Sequence, residues 1–158
     1  RDDWIRAIDQ NMLTSIEMIK SVIDSMVRNK FGRIVNITSG SVKSPIRELG
    51  LSNGARAGLT GFVAGIAREY AQYNVTINNL LPGQFNTARI ENLIETRAKE
   101  EGIAPQKLRA NLQRENPSGR LGEIVEFGFA CAWICSAHSG YLVGQNILLD
   151  GGLFNSNK

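Results

Sequence analysis

Ser39 follows a short β-branched run, and Ser52 and Arg56 stand further on, one helical turn apart near the start of an apolar-periodic segment. Residues four apart on a helix share a face. A serine hydroxyl can polarise a carbonyl by donating a hydrogen bond, and a nearby arginine supplies fixed positive charge to a developing oxyanion or to a cofactor. The same residues also have an ordinary reading, since serine caps helix starts and arginine coats exposed helices. A second group, Pro82-Gly83-Gln84-Phe85-Asn86-Thr87, reads as a turn. Gly83 lacks a Cβ, so a ligand could approach the backbone closely there, and Thr87 offers a hydroxyl to a carboxamide or a phosphate. Here the ordinary alternative is a strand-ending turn.

These groups need elements to hold them, and the chain alternates accordingly. Apolar residues Trp4, Ile8, Met12, Ile16, Ile19, Ile23 and Met26 recur at helical spacing, predicting one long amphipathic helix over residues 3–30. Residues 33–38 (Arg-Ile-Val-Asn-Ile-Thr) predict a buried parallel strand. Helical spacing returns from Ala57 to about Gln72, and a second strand over 75–81 stops at Pro82-Gly83. A polar, helix-prone excursion over 88–116 suits a lid, while Ile124, Phe127, Cys131 and Ile134 predict a third buried helix. Residues 145–150 complete a third strand, closed by Gly151-Gly152. Strand–helix alternation argues for an α/β fold with a parallel sheet. In such sheets ligands bind beyond the carboxyl ends of the strands, where Ser39 and the Pro82–Thr87 turn fall.

Composition excludes several classes. The 158 residues carry 18 Lys+Arg against 15 Asp+Glu, a net charge of +3, with 42% hydrophobic and 21% charged residues. That is enough apolar material for a core and too little charge for a disordered chain. The basic residues are scattered, so no nucleic-acid partner is expected. No apolar run reaches the length of a membrane span, and the first residues resemble neither a signal nor a transit peptide, so no membrane partner and a cytoplasmic location are expected. Cys131 and Cys135, four apart in an apolar stretch, read as core packing in a reducing compartment rather than a metal or redox pair.

Taken in order, Gly32-Arg33-Ile34-Val35-Asn36-Ile37-Thr38-Ser39, Arg56-Ala57-Gly58-Leu59, Ile77-Asn78, Pro82-Gly83 with Thr87, Pro117-Ser118-Gly119-Arg120-Leu121-Gly122, Gly144-Gln145 and Asp150-Gly151-Gly152 resemble the classical short-chain dehydrogenases/reductases, especially the 3-oxoacyl-[acyl-carrier-protein] reductase-like branch. The resemblance runs over essentially the whole chain. It implies a Rossmann-type, doubly wound parallel sheet in a three-layer sandwich. It also implies binding of NAD or NADP, and hydride exchange between nicotinamide and a small-molecule carbonyl or secondary alcohol. The family's tetrad is Asn, Ser, Tyr and Lys. Asn11 matches the Asn that holds a proton-relay water, and Ser39 matches the Ser that positions the substrate oxygen. Ser52 and Arg56 stand where the family has its Tyr and Lys, so the YxxxK motif is absent.

That departure bears on chemistry more than on binding. An aliphatic hydroxyl is a far weaker acid than a phenol and reaches less far, so Ser52 would need a bridging water. Arg56 can keep the lysine's hydrogen bond to the nicotinamide ribose. Pro82, Gly83, Phe85 and Thr87 resemble the nicotinamide-side loop, with backbone groups near Phe85 and the Thr87 hydroxyl facing the carboxamide and phosphates. Tyr70, Tyr73, Tyr141 and His138 read as packing or surface residues, whereas one of Lys43, Arg47 and Glu48 could serve a divergent mechanism. Ile90, Leu93, Ile94 and Leu108 hint at a moderately hydrophobic substrate. The resemblance also implies a homodimer or homotetramer. It further implies that residues 1–158 are the C-terminal portion, about three strands with flanking helices, of a single longer domain, with residues 88–116 as substrate lid. Two functions follow: a divergent oxidoreductase, or a catalytically impaired dinucleotide-binding or partner-binding protein of the same fold.

Overall fold

The sheet has three parallel strands in the order β1-β2-β3, namely β1 Gly32–Ile37, β2 Val75–Pro82 and β3 Asn146–Leu149. They are described in a computed structural model covering residues 1–156. Gly32 to Ile37 pair with Val75 to Leu80, and Asn79 to Pro82 pair with Asn146 to Leu149. Central β2 is sealed on both faces, with Val75, Ile77, Leu80 and Leu81 fully buried. Its two asparagines are buried as well, and each is satisfied. Asn79 accepts from Asn36 Nδ2 (3.2 Å) and donates to Asn146 Oδ1 (2.8 Å), forming a ladder across all three strands. Asn78 donates to the Leu142 carbonyl (2.8 Å) and accepts from the Gln145 amide (2.9 Å), fixing the entry into β3.

The predicted long helix is α1 Asp2–Ile8, a π-helical turn Asp9–Leu13 and α2 Thr14–Arg28 on one path. Ile16, Ile19 and Ile23 of α2 pack with Leu59, Val63 and Ala67 of α3 Gly50–Ala71 on Val75 and Ile77 of the sheet. The π turn sits against α3 at Gly58, where a Cβ would come within 2.8 Å of Met12 Sδ. A later helix, α6 Ile124–Ile134, packs on β1 and β2 outside this cluster, giving helix, sheet and helix layers.

Two expectations of burial fail here. Strand β1 is the unpaired edge of the sheet, and its β-branched run is not buried throughout, with Ile37 56% exposed. Helix α6 is apolar on all sides but buries only Ile134, whereas Ile124 and Phe129 are 61% and 71% exposed, because three strands offer too little surface to cover it. The two cysteines follow suit. Cys131 is half-buried and Cys135 exposed, both as free thiols, so they are not core residues.

The excursion over 88–116 is a helical hairpin, α4 Ala88–Glu101 and α5 Pro105–Glu115. Gly102 supplies the left-handed residue that ends α4 (φ 65°). Ile94, Ala98 and Leu108 form a small core of its own, beside Ile90, Ile103 and Leu112. After the hairpin, α6 starts with a reciprocal cap between Glu123 and Glu126, and Arg120 donates to both Glu126 carboxylate oxygens (2.7 and 2.6 Å). The Arg120 hydrogen bonds, followed by the Glu123 amide, hold the Glu126 carboxyl at about 2 instead of 4.5. A depressed folded-state value means the cap's contribution is fully present above pH 4.5 and is lost as pH falls toward 2. The Glu126 side-chain carbon should therefore titrate near pH 2 by NMR, and Glu126→Gln should flatten the melting temperature over that window.

Candidate functional site

The carboxyl ends of the three strands open into one cleft of about 480 Å³, the size of a small-molecule site. Ser39, Ser52, Arg56, Pro82, Gly83, Phe85 and Thr87 all line it. Asn11 does not. It sits in the π-helical turn, where its side-chain amide donates to the Ala7 carbonyl (3.0 Å).

Ser39 leaves β1 in extended backbone (φ −163°, ψ 147°) and caps the short turn Gly40–Val42, its Oγ accepting from the Ser41 amide (3.1 Å). With that lone pair engaged, the Ser39 O–H is left to donate toward the cleft. Flanking it, the Thr38 and Ser41 hydroxyls are buried with no hydrogen-bond partner. From α3, Arg56 Nε donates to Ser52 Oγ (3.1 Å), and Nη1 donates to the Thr38 and Ile37 carbonyls (2.9 and 3.2 Å). Arg56 thus ties the first turns of α3 to the end of β1. Burial, then the charge of Arg89, lower its pKa, although a guanidinium keeps its proton through such a shift.

At the end of β2, the Gly83 amide donates to the Leu149 carbonyl (2.8 Å). A Cβ on Gly83 would lie 2.5 Å from Asp150 Cβ and 2.7 Å from its Cα, backbone that cannot swing aside. Gly83→Ala should therefore cost about 1–3 kcal/mol, read as a lowered denaturant midpoint. Beyond it, Phe85 forms a parallel bridge with Gly122 in which the Gln84 carbonyl and Asn86 amide make the bonds (3.0 and 2.8 Å). The amide and carbonyl of Phe85 itself face the other way. Its ring stands edge-on to Phe127, centroids 5.3 Å apart. Thr87 caps α4, accepting from the Ile90 amide (3.4 Å).

The structure also redistributes the expected substrate contacts. Ile90 and Leu93 line the cleft, but Ile94 and Leu108 are consumed by the hairpin's own core and touch no ligand space. Arg47 and Glu48 point to solvent, and the Lys43 ammonium lies 5.9 Å over the Phe154 ring; none of the three lines the cleft. Tyr70 packs on the main core, while Tyr73, Tyr141 and His138 are exposed, so no phenol or imidazole lines the cleft. Sequence reasoning passed over Arg89, Asp150, Leu153 and Phe154 as cleft residues. For Arg89 the signal was its place in the first turn after Thr87, since helical side chains lean toward the N-terminus. No group of His, Cys, Asp and Glu among the described residues could hold a metal, and none of their helices is long and apolar enough to cross a membrane.

A family model described as Enoyl-(Acyl carrier protein) reductase matches residues 1–154. Acetoacetyl-CoA reductase of Cupriavidus necator is 35% identical over 155 residues, 97% of this chain and 58% of that protein. The 3-oxoacyl-[acyl-carrier-protein] reductase of Haemophilus influenzae is 31% identical over 157 residues, 98% of this chain and 60% of that one. Among solved structures, YwfH, an NADPH-dependent reductase involved in bacilysin biosynthesis, superposes with a TM-score of 0.87 at 30% identity, over 94% of this chain and 57% of that chain. The chain therefore spans about three-fifths of the length of the curated relatives it matches.

Proposed function

The chain belongs to the short-chain dehydrogenase/reductase family, and on that premise we propose that the whole protein is an NAD(P)-dependent oxidoreductase interconverting a carbonyl compound and a secondary alcohol. The observation that carries this reading is the Ser39 hydroxyl, held by the Ser41 amide with its own proton free, at a strand tip that opens into a shared cleft. Donation from that hydroxyl would orient the substrate oxygen and favour negative charge on it.

The residues present fit the nicotinamide end of the cofactor. The Phe85 amide and carbonyl are turned away from Gly122, and the Thr87 hydroxyl lines the same wall. An amide, a carbonyl and a hydroxyl suit a carboxamide, and the remaining amino group of Arg56 suits a ribose hydroxyl. The bound nicotinamide supplies or accepts the hydride. Around it, Ser39 holds the reacting oxygen, Arg56 fixes the end of β1, and the α4–α5 hairpin lies over the cleft as a lid through Ile90 and Leu93. Asn11, which donates to Ala7 within its own helix and does not line the cleft, is proposed as a relay residue. The exposed apolar residues Trp4, Ile5, Leu13 and Met18 along α1, the π-helical turn and α2 support a homo-oligomer.

The test is turnover by the full-length protein of NADH and NADPH against a panel of ketones, with cofactor affinity measured by calorimetry. Oxidation coupled to ketone reduction is the expected result. Tight cofactor binding without turnover of any ketone would overturn it and favour the second reading, a dinucleotide-binding protein without chemistry. What speaks for that second reading is specific: no phenol lines the cleft, and Ser52 and Arg56 hold each other.

A further inference from the structure

We infer that the cleft takes a substrate bearing a free carboxylate, seated between the guanidinium groups of Arg56 and Arg89, so that the compound turned over is an oxo acid or hydroxy acid. This deepens the oxidoreductase reading and rests on it. Arg56 and Arg89 line the same cleft from different elements, α3 and the first turn of α4. They are near enough for the Arg89 charge to act on Arg56. Arg56 is half-buried and Arg89 exposed; like charges in one cleft repel, and an anion between them converts that repulsion into two attractions.

Among the described residues no carboxylate pairs with either arginine, and the acid beside Arg89, Glu91, is paired with Arg109 across the hairpin. Arg56 spends Nε on Ser52 and Nη1 on two carbonyls, which leaves the two N–H bonds of Nη2, one for the nicotinamide ribose and one for the carboxylate. Asp150 is the acid in the cleft, and its oxygens accept the Gly152 and Phe154 amides (2.9 and 2.8 Å). The Arg89 guanidinium can match a carboxylate with two parallel hydrogen bonds, while Arg56 adds a single one. Beside this charge the wall is apolar, with Ile46, Leu49, Ile90, Leu93 and Leu153, which suits a short alkyl body attached to the carboxylate. A cofactor phosphate is the other anion that could meet these groups, but those apolar neighbours favour the substrate.

The test uses calorimetry on the full-length protein with hexanoate and hexanamide, each with and without NADP⁺, for the native chain, Arg89→Leu and Arg89→Gln. Hexanoate is expected to bind at least tenfold more tightly than hexanamide. In both variants that preference should collapse to within threefold, with NADP⁺ affinity changed less than twofold. Equal binding of the acid and the amide overturns the seat. So does a variant that loses NADP⁺ and keeps hexanoate, which would assign Arg89 to a cofactor phosphate. Because hexanoate is unreactive, the seat is read independently of turnover: acid-selective binding without reduction of any ketone, 3-oxohexanoate included, would sink the oxidoreductase reading and leave the anion seat standing.

Discussion

Replacing Ser39 with alanine should lower kcat by about 10²–10³ while leaving cofactor affinity within a few-fold, the loss expected when one preorganised donor to a developing oxyanion is removed. The hydroxyl has two jobs that can be separated. It accepts from the Ser41 amide at 3.1 Å, capping the short turn after β1, and it has a proton left for a ligand. Loss of the cap alone costs about 0.5–2 kcal/mol of stability and would appear in the melting temperature. Loss of the donor appears in kcat. Ser39→Cys keeps a weak donor and a weak acceptor at the same place and should fall between wild type and alanine. A kcat within threefold of wild type in Ser39→Ala would show that the strand-tip hydroxyl only caps its turn.

How much of this could be read from residue order depends on what each pattern reports. The three strands and the helices between them were legible because β-branched runs and helical spacing are local, and Asn78 and Asn79 did not spoil β2 because partners outside the strand satisfy them. Gly83 was read as a place where a ligand could come close, but what fills the space of its missing Cβ is Asp150. Burial was less legible. Periodicity says which residues lie on one face but not what covers that face, so α6 was expected to be buried and in this chain is mostly bare. The same gap misassigned Ile94 and Leu108, whose partner is the other half of their own hairpin rather than a ligand. Arg56 lines the cleft, and its bonds to the Ile37 and Thr38 carbonyls depend on where β1 ends relative to α3, a tertiary distance that residue order does not contain.

Those bonds determine what should happen when the family's pair is restored. The Ser52→Tyr, Arg56→Lys double variant is expected to raise kcat by about 10²–10³, within the range that a positioned general acid contributes. A phenol with an unperturbed pKa near 10 is already a far stronger acid than a serine hydroxyl, and an adjacent ammonium lowers it further. The cleft wall at Ser52 is open enough to take the ring without displacing a core side chain, since Ser52 is only half-buried and lines the 480 Å³ space. Stability should move the other way. Lysine cannot reproduce the fork that reaches Ser52 Oγ and the Thr38 and Ile37 carbonyls together, so the double variant should lose about 1–2 kcal/mol as those hydrogen bonds go. Ser52→Tyr alone separates the two effects. It keeps the clamp on β1, but the guanidinium stays turned toward the carbonyls, so the phenol is acidified less and the gain in kcat should be smaller than in the double variant. Both variants should show a new limb in the pH–rate profile as the phenol titrates, lying at lower pH in the double variant. If the double variant folds, binds cofactor and gains nothing, proton supply is not the step that the Tyr and Lys substitutions weakened, and the reacting oxygen must draw its proton through the Ser39 side of the cleft instead.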